Sequence, residues 1–104
     1  GLVGELVSFE PEPGFVPRDG QQIRGTVTLA LAVSVGAGDS LELRPVDDPE
    51  RFMVVLAPGP CEAGGMLRCR VPRPMAAGCE VRLTRSVALL DAAARAVSEL
   101  EREL

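Results

Sequence analysis

A chain of 104 residues with 46% apolar side chains is the size of one domain and carries enough hydrophobic surface for a single core, which excludes a disordered chain. No apolar run reaches the roughly 18 residues that a membrane-spanning helix needs; the longest, 27–35, contains Thr and Ser. The formal net charge of −4 is the wrong sign for a dedicated nucleic-acid binder, which shows a basic footprint over one face.

The charge is unevenly spread. Residues 1–64 carry ten acids and four Arg, residues 65–85 one acid and five Arg, and residues 86–104 four acids and two Arg. Every basic residue is Arg, and His, Lys, Tyr, Trp and Asn do not occur, a bias expected of a GC-rich coding sequence. Cys61, Cys69 and Cys79 are odd in number and lack C-x-x-C spacing, so we expect free thiols and an intracellular home, cytoplasmic or nuclear. The chain begins at Gly1 with no charged-then-apolar leader; we expect a piece of a longer protein.

Leu2 to Phe9 is expected to form a first, irregular strand, ended by Pro11, Pro13 and Pro17, each of which lacks a donor for a β-ladder. Phe15 and Val16 are expected to tuck back as an anchor. The stretch 22–35 then alternates: Ile23, Val27, Leu29, Leu31, Val33 and Val35 share one face, and Arg24, Thr26, Thr28 and Ser34 the other. Period-two alternation rich in β-branched residues predicts a long half-buried strand about which the others are laid. Gly36 to Asp39 turns the chain, and Ser40 to Arg44 alternates again, predicting a hairpin with 27–35. Arg51 to Ala57 is apolar on both faces, which predicts a central strand covered on each side. Met66 to Val71 and Cys79 to Thr84 are expected to pair as a hairpin around 72–78, with Leu67, Cys69 and Val71 facing Cys79, Val81 and Leu83.

From Ser86 the period changes. Leu90, Ala93, Val97, Leu100 and Leu104 follow at 3-4-3-4 spacing with no Gly or Pro between them, the seam of an amphipathic helix of roughly 28 Å. Its acidic last turn has the wrong sign for a helix C-terminus, so the helix is expected to continue as a longer coiled coil. Together these elements predict an all-β domain over 1–85, an antiparallel sandwich, immunoglobulin-like in the loose sense, or a small barrel of about six strands, followed by a C-terminal α-helix over 86–104.

The stretch Asp19 to Leu29, a turn glycine ahead of an I-x-G-x-V-x-L strand, resembles the early strand of arrestin-type sandwiches, and the resemblance covers that stretch alone. A β-barrel followed by a helix is also similar to the PilZ cyclic-dinucleotide domains. Their Arg-x-x-x-Arg and Asp-x-Ser-x-x-Gly signatures do not occur here, so no residue is carried over and no family is assigned.

Catalytic equipment is sparse. Without His there is no Ser-His or Cys-His pair and no ordinary proton carrier near neutral pH. Without Lys there is no phosphate loop of the usual kind. Asp47, Asp48 and Glu50 lack calcium-loop spacing and read as a solvated acidic loop. Scattered Cys supply no zinc site, so neither metal nor cofactor is expected. Cys69 and Cys79 read as small core residues, and Cys61 as an incidental loop thiol.

Two surfaces remain. Arg68, Arg70, Arg73, Arg82 and Arg85, placed on one hairpin, would present guanidinium groups to an acidic protein or another anionic ligand. The stripe Leu90, Ala93, Val97, Leu100 and Leu104 would join a second copy as a homodimer or dock another protein, or fold back to close one end of the sandwich. Three Phe and no Tyr or Trp leave little for bases to stack on, so nucleic acid is not expected as a partner. The expectation is a non-catalytic protein-interaction or oligomerisation module of a larger scaffold.

Overall fold

The computed structural model describes residues 1–85; the expected helix and its stripe lie outside the described residues. Six strands, β1 (Leu2–Pro11), β2 (Gly25–Leu31), β3 (Ser40–Arg44), β4 (Met53–Leu56), β5 (Met66–Val71) and β6 (Glu80–Arg85), form one antiparallel sheet in the order β4-β3-β6-β1-β2-β5. The sheet curls into a half-barrel around its own buried face. The small-barrel expectation therefore holds in this coarser form, and two facing sheets are not observed.

The curl has a local cause. Val7 is an extra residue against β2, because Leu6 pairs with Leu29 but Ser8 pairs with Thr28. A second register shift, between Leu2 and Gly4, interrupts the pairing of β1 with β6, and a third separates Ser40 from Leu41 along β6. Each bulge raises the local twist and bends its strand. β1 stands near the middle of the sheet and carries two of them.

The simple strands show the pattern their sequences dictate. In β2, Val27, Leu29 and Leu31 are buried and Thr26, Thr28 and Ala30 half-buried. β5 alternates without fault, with Leu67, Cys69 and Val71 inside. Leu6, Val27, Leu29, Leu41, Leu43 and Val81 are fully enclosed at the centre. Burying such side chains stabilises by roughly 1.5–3 kcal/mol each.

Several pairings differ from the expected ones. The long strand stops at Leu31; Val33 is exposed, and Val35 is held by a separate bridge to Cys61. β2 pairs with β1 and β5, not with β3, whose hairpin partner is β4. β5 and β6 do not pair: β1 and β2 lie between them. The reason lies in the 72–79 connection, which is long enough to cross the half-barrel and carries buried Met75 as its anchor. Backbone bonds between Leu6 and the Gly78–Cys79 segment then set β6 beside β1 (Leu6 N–H to Cys79 O and Gly78 N–H to Leu6 O, both 2.9 Å). β4 is an edge strand, not a covered one: Val55 faces the core while Val54 and Leu56 are exposed. Phe15 tucks beneath Arg24, whose guanidinium stands 4.4 Å from the ring centre, but Val16 is exposed.

Asp39 is the buried acid of the core region. Its Oδ2 accepts from the Gly36 N–H at 2.8 Å, the local bond that favours Asp at a turn. The Ala57 N–H donates to the Asp39 carbonyl, so this turn also fixes the end of β4.

Candidate functional site

The two edges of the half-barrel, β4 and β5, approach each other without pairing. A groove of about 630 Å³ runs along this seam, lined on one side by Val54, Leu56 and Pro58 and on the other by Thr26, Arg68 and Arg70. Its outer lining follows from the strand period. Val54 and Leu56 are two apart on β4, Arg68 and Arg70 two apart on β5, and each pair projects away from the core.

The β4 edge is unguarded. Val54 is 51% exposed and Leu56 65%, and the strand Met53–Leu56 holds neither charge nor Pro. Soluble proteins blunt such edges with charges, prolines or a cover. β5 is blunted by its two Arg; β4 is not.

The predicted Arg group is divided by the topology. Only Arg68 and Arg70 stand together, with neighbours Thr28 and Thr26 on β2. Arg82 lies on β6, three strand spacings away, or roughly 14 Å. It bonds Glu80 at 3.1 Å, and its buried Nε has no hydrogen-bond partner. Arg73 clasps the crossover to the β3–β4 loop by donating to the carbonyls of Arg51 (2.8 Å) and Phe52 (3.4 Å). Arg85 ends β6, opposite Ser40. The single patch expected from a β5–β6 hairpin does not form, because that hairpin does not exist.

Arg68 and Arg70 are loosely held. Arg68 reaches Glu10 at 3.5 Å and Arg70 reaches Glu12 at 3.6 Å, and the Arg70 side chain is 88% exposed. Glu12 is more closely engaged by Arg24, at 2.5 Å. Exposed pairs of this kind contribute about 0–1 kcal/mol, so an incoming carboxylate competes for these Arg at little cost. The apolar half of the groove was missed in the sequence because a doubly apolar strand reads as central. Pro49 and Pro58 lie outside Met53–Leu56, so the rule that confines Pro within sheets to edges gives no signal here.

The remaining candidates are structural. Among the described residues no group of His, Cys, Asp and Glu is arranged to hold a metal ion. All three thiols are free, with Cys69 and Cys79 buried and Cys61 half-buried. Burial pushes the Cys69 thiol up to about 11, with a smaller contribution from Cys61, and it also raises Cys79. We expect a thiol-specific reagent at pH 8 to label Cys61 first, and Cys69 and Cys79 only at the rate of opening. Equal labelling rates by mass spectrometry contradict the packing described.

Fold and groove define an all-β half-barrel with one open seam. No family model matches the chain, and no curated protein or solved structure shows significant similarity to it.

Proposed function

We propose that this chain is a non-catalytic protein-interaction domain that receives an apolar, acidic segment of a partner protein in the seam between β4 and β5. The carrying observation is the juxtaposition of exposed Val54 and Leu56 with Arg68 and Arg70 across one groove. The apolar side supplies burial, and the guanidinium groups supply carboxylate recognition and orientation. The unpaired edge of β4 adds backbone donors and acceptors that an extended segment can satisfy.

The test uses two labelled synthetic peptides, one alternating Leu with Glu and one alternating Leu with Lys. By fluorescence anisotropy the acidic peptide is expected to bind at least about tenfold more tightly, with affinity falling as salt rises. The double variant Arg68→Glu, Arg70→Glu is expected to reverse that preference. Leu56→Arg is expected to weaken both peptides. Unchanged binding of the acidic peptide by the Arg68→Glu, Arg70→Glu variant removes the reading.

A further inference from the structure

The Arg pair of the seam stands between two clefts. Thr26, Arg68, Arg70 and Pro72 line the groove shared with β4, and the same four line a second cleft toward β1, which Glu10 and Glu12 also line. The match between these two acids and the two Arg follows from topology. β1 and β5 both run antiparallel to β2, so they run the same way. Glu10 stands next to the last residue of β1, and Glu12 continues the ladder by donating its N–H to the Arg24 carbonyl at 3.0 Å. The acids are therefore two apart on extended chain, as Arg68 and Arg70 are. Each acid meets one Arg in the same order, Glu10 to Arg68 at 3.5 Å and Glu12 to Arg70 at 3.6 Å. Thr26 lies between Glu10 and Arg70 across β2, and its short side chain lets the longer ones reach over that strand.

We infer that Glu10 and Glu12 are an internal competitor for Arg68 and Arg70, occupying the two guanidinium groups until an acidic segment in the seam takes them. This rests on the proposed function and names how the same Arg pair is regulated. Both contacts are suited to exchange. The Glu10 and Arg68 side chains are 67% and 64% exposed, so each returns to water with its solvation nearly complete. Glu12 keeps a cation when Arg70 leaves, because Arg24 bonds it at 2.5 Å. Arg24 is held in turn by the Phe15 ring, whose centre is 4.4 Å from its guanidinium carbon, a cation–π contact. Release of Arg70 therefore strands no charge, which is the costly step in breaking an ion pair. What remains is a small opposing free energy that lowers the ligand's apparent affinity, as in any site whose binding-competent state is only part of the population.

The test is fluorescence anisotropy of the full chain with the labelled peptide that alternates Leu with Glu, at about 0.15 M salt, where exposed charges more than roughly 8 Å apart are screened. Glu10→Gln, Glu12→Gln is expected to bind the peptide about three- to tenfold more tightly than the wild type. Glu10→Gln alone, whose carboxylate meets Arg68 only, is expected to gain about twofold, so the result does not depend on the double variant folding. Two controls separate competition from net charge. Glu5→Gln, Glu50→Gln removes the same charge from acids that pair with no Arg among the described residues, and its affinity is expected to stay within about 1.5-fold of wild type. In an Arg68→Gln, Arg70→Gln background the gain from Glu10→Gln, Glu12→Gln is expected to vanish. A gain that persists there, or that Glu5→Gln, Glu50→Gln reproduces, overturns the inference, because the acids then act through bulk charge. So does an unchanged affinity in Glu10→Gln, Glu12→Gln while Arg68→Gln, Arg70→Gln weakens binding, and that outcome leaves the proposed function standing. Absence of binding by every variant, or binding indifferent to Arg68→Gln, Arg70→Gln, removes both.

Discussion

Gly25→Ala is expected to destabilise the domain by about 3–5 kcal/mol, a large part of the stability of a chain this size. A Cβ at Gly25 would lie against the Glu10 carbonyl oxygen and within 2.7 Å of Cζ of Phe9. The obstacle is therefore partly backbone, and the ladder between Pro11 and Gly25 has to open to admit one methyl group. The Phe9 ring, half-buried against the core, sits where the side chain of residue 25 would stand, a known way of covering a strand glycine. Gly4 does the same service at the other end of the β1–β2 ladder, where its Cβ would meet the Ala30 carbonyl oxygen. Gly59→Ala is the matched control: nothing lies within 4 Å of its Cβ, and its stability is expected to stay within about 1 kcal/mol of wild type. Urea unfolding followed by circular dichroism measures both, since the chain has no Trp or Tyr to report by fluorescence. Equal midpoints for the two variants would show that the β1–β2 ladder is not packed as described.

Strands were legible even where bulges break the period, as in β1, expected over Leu2 to Phe9 and observed over Leu2–Pro11; the inward face was legible only where period two is kept. β2, β3 and β5 alternate cleanly; Val27, Leu29, Leu31, Leu67, Cys69 and Val71 are buried as expected, whereas Ile23 and Val33, assigned to the same face as Val27, lie outside β2 and are exposed. β1 buries Val3 and Leu6 and half-buries Phe9, a spacing of three that looks irregular until the bulges are counted. Pairing was less legible than identity. Sequence neighbours often pair, so β5 and β6 were expected as a hairpin. Nothing in either strand records that Met75 anchors their connection across the barrel and delivers β6 between β1 and β3. The site inherited that error. Arg68 and Arg70 were placed together correctly because they share one strand, whereas Arg73 and Arg82 were joined to them only through the supposed hairpin. Val54 and Leu56 escaped notice because local apolarity does not distinguish the centre of a sheet from its edge.

The composition that limits chemistry also isolates one titration. With no Lys, Tyr or His, the side chains that ionise between about pH 8 and 12 are the three thiols alone, since Arg stays charged throughout. Cys69 sits inside β5 with its thiol pushed up from 9.0 to about 11, chiefly by burial. The sign follows from which state holds the proton. The unfolded chain loses the Cys69 proton near pH 9, whereas the folded chain keeps it to about pH 11. Rising pH over that interval therefore favours the unfolded chain. Stability is expected to be full below about pH 9, to fall by about 2–3 kcal/mol as pH approaches 11, and to level off above it. Cys79, also buried and raised, adds to the same decline. Urea midpoints in the presence of reductant should show the fall in the wild type and a clearly shallower one in Cys69→Ala, whose lower starting stability does not alter the slope. A Cys69→Ala curve parallel to the wild type from pH 8 to 11 would mean that the thiol is solvated, and that β5 does not turn Leu67, Cys69 and Val71 into the core. The same strand turns Arg68 and Arg70 outward, so the alkaline slope also tests the register on which the seam groove depends.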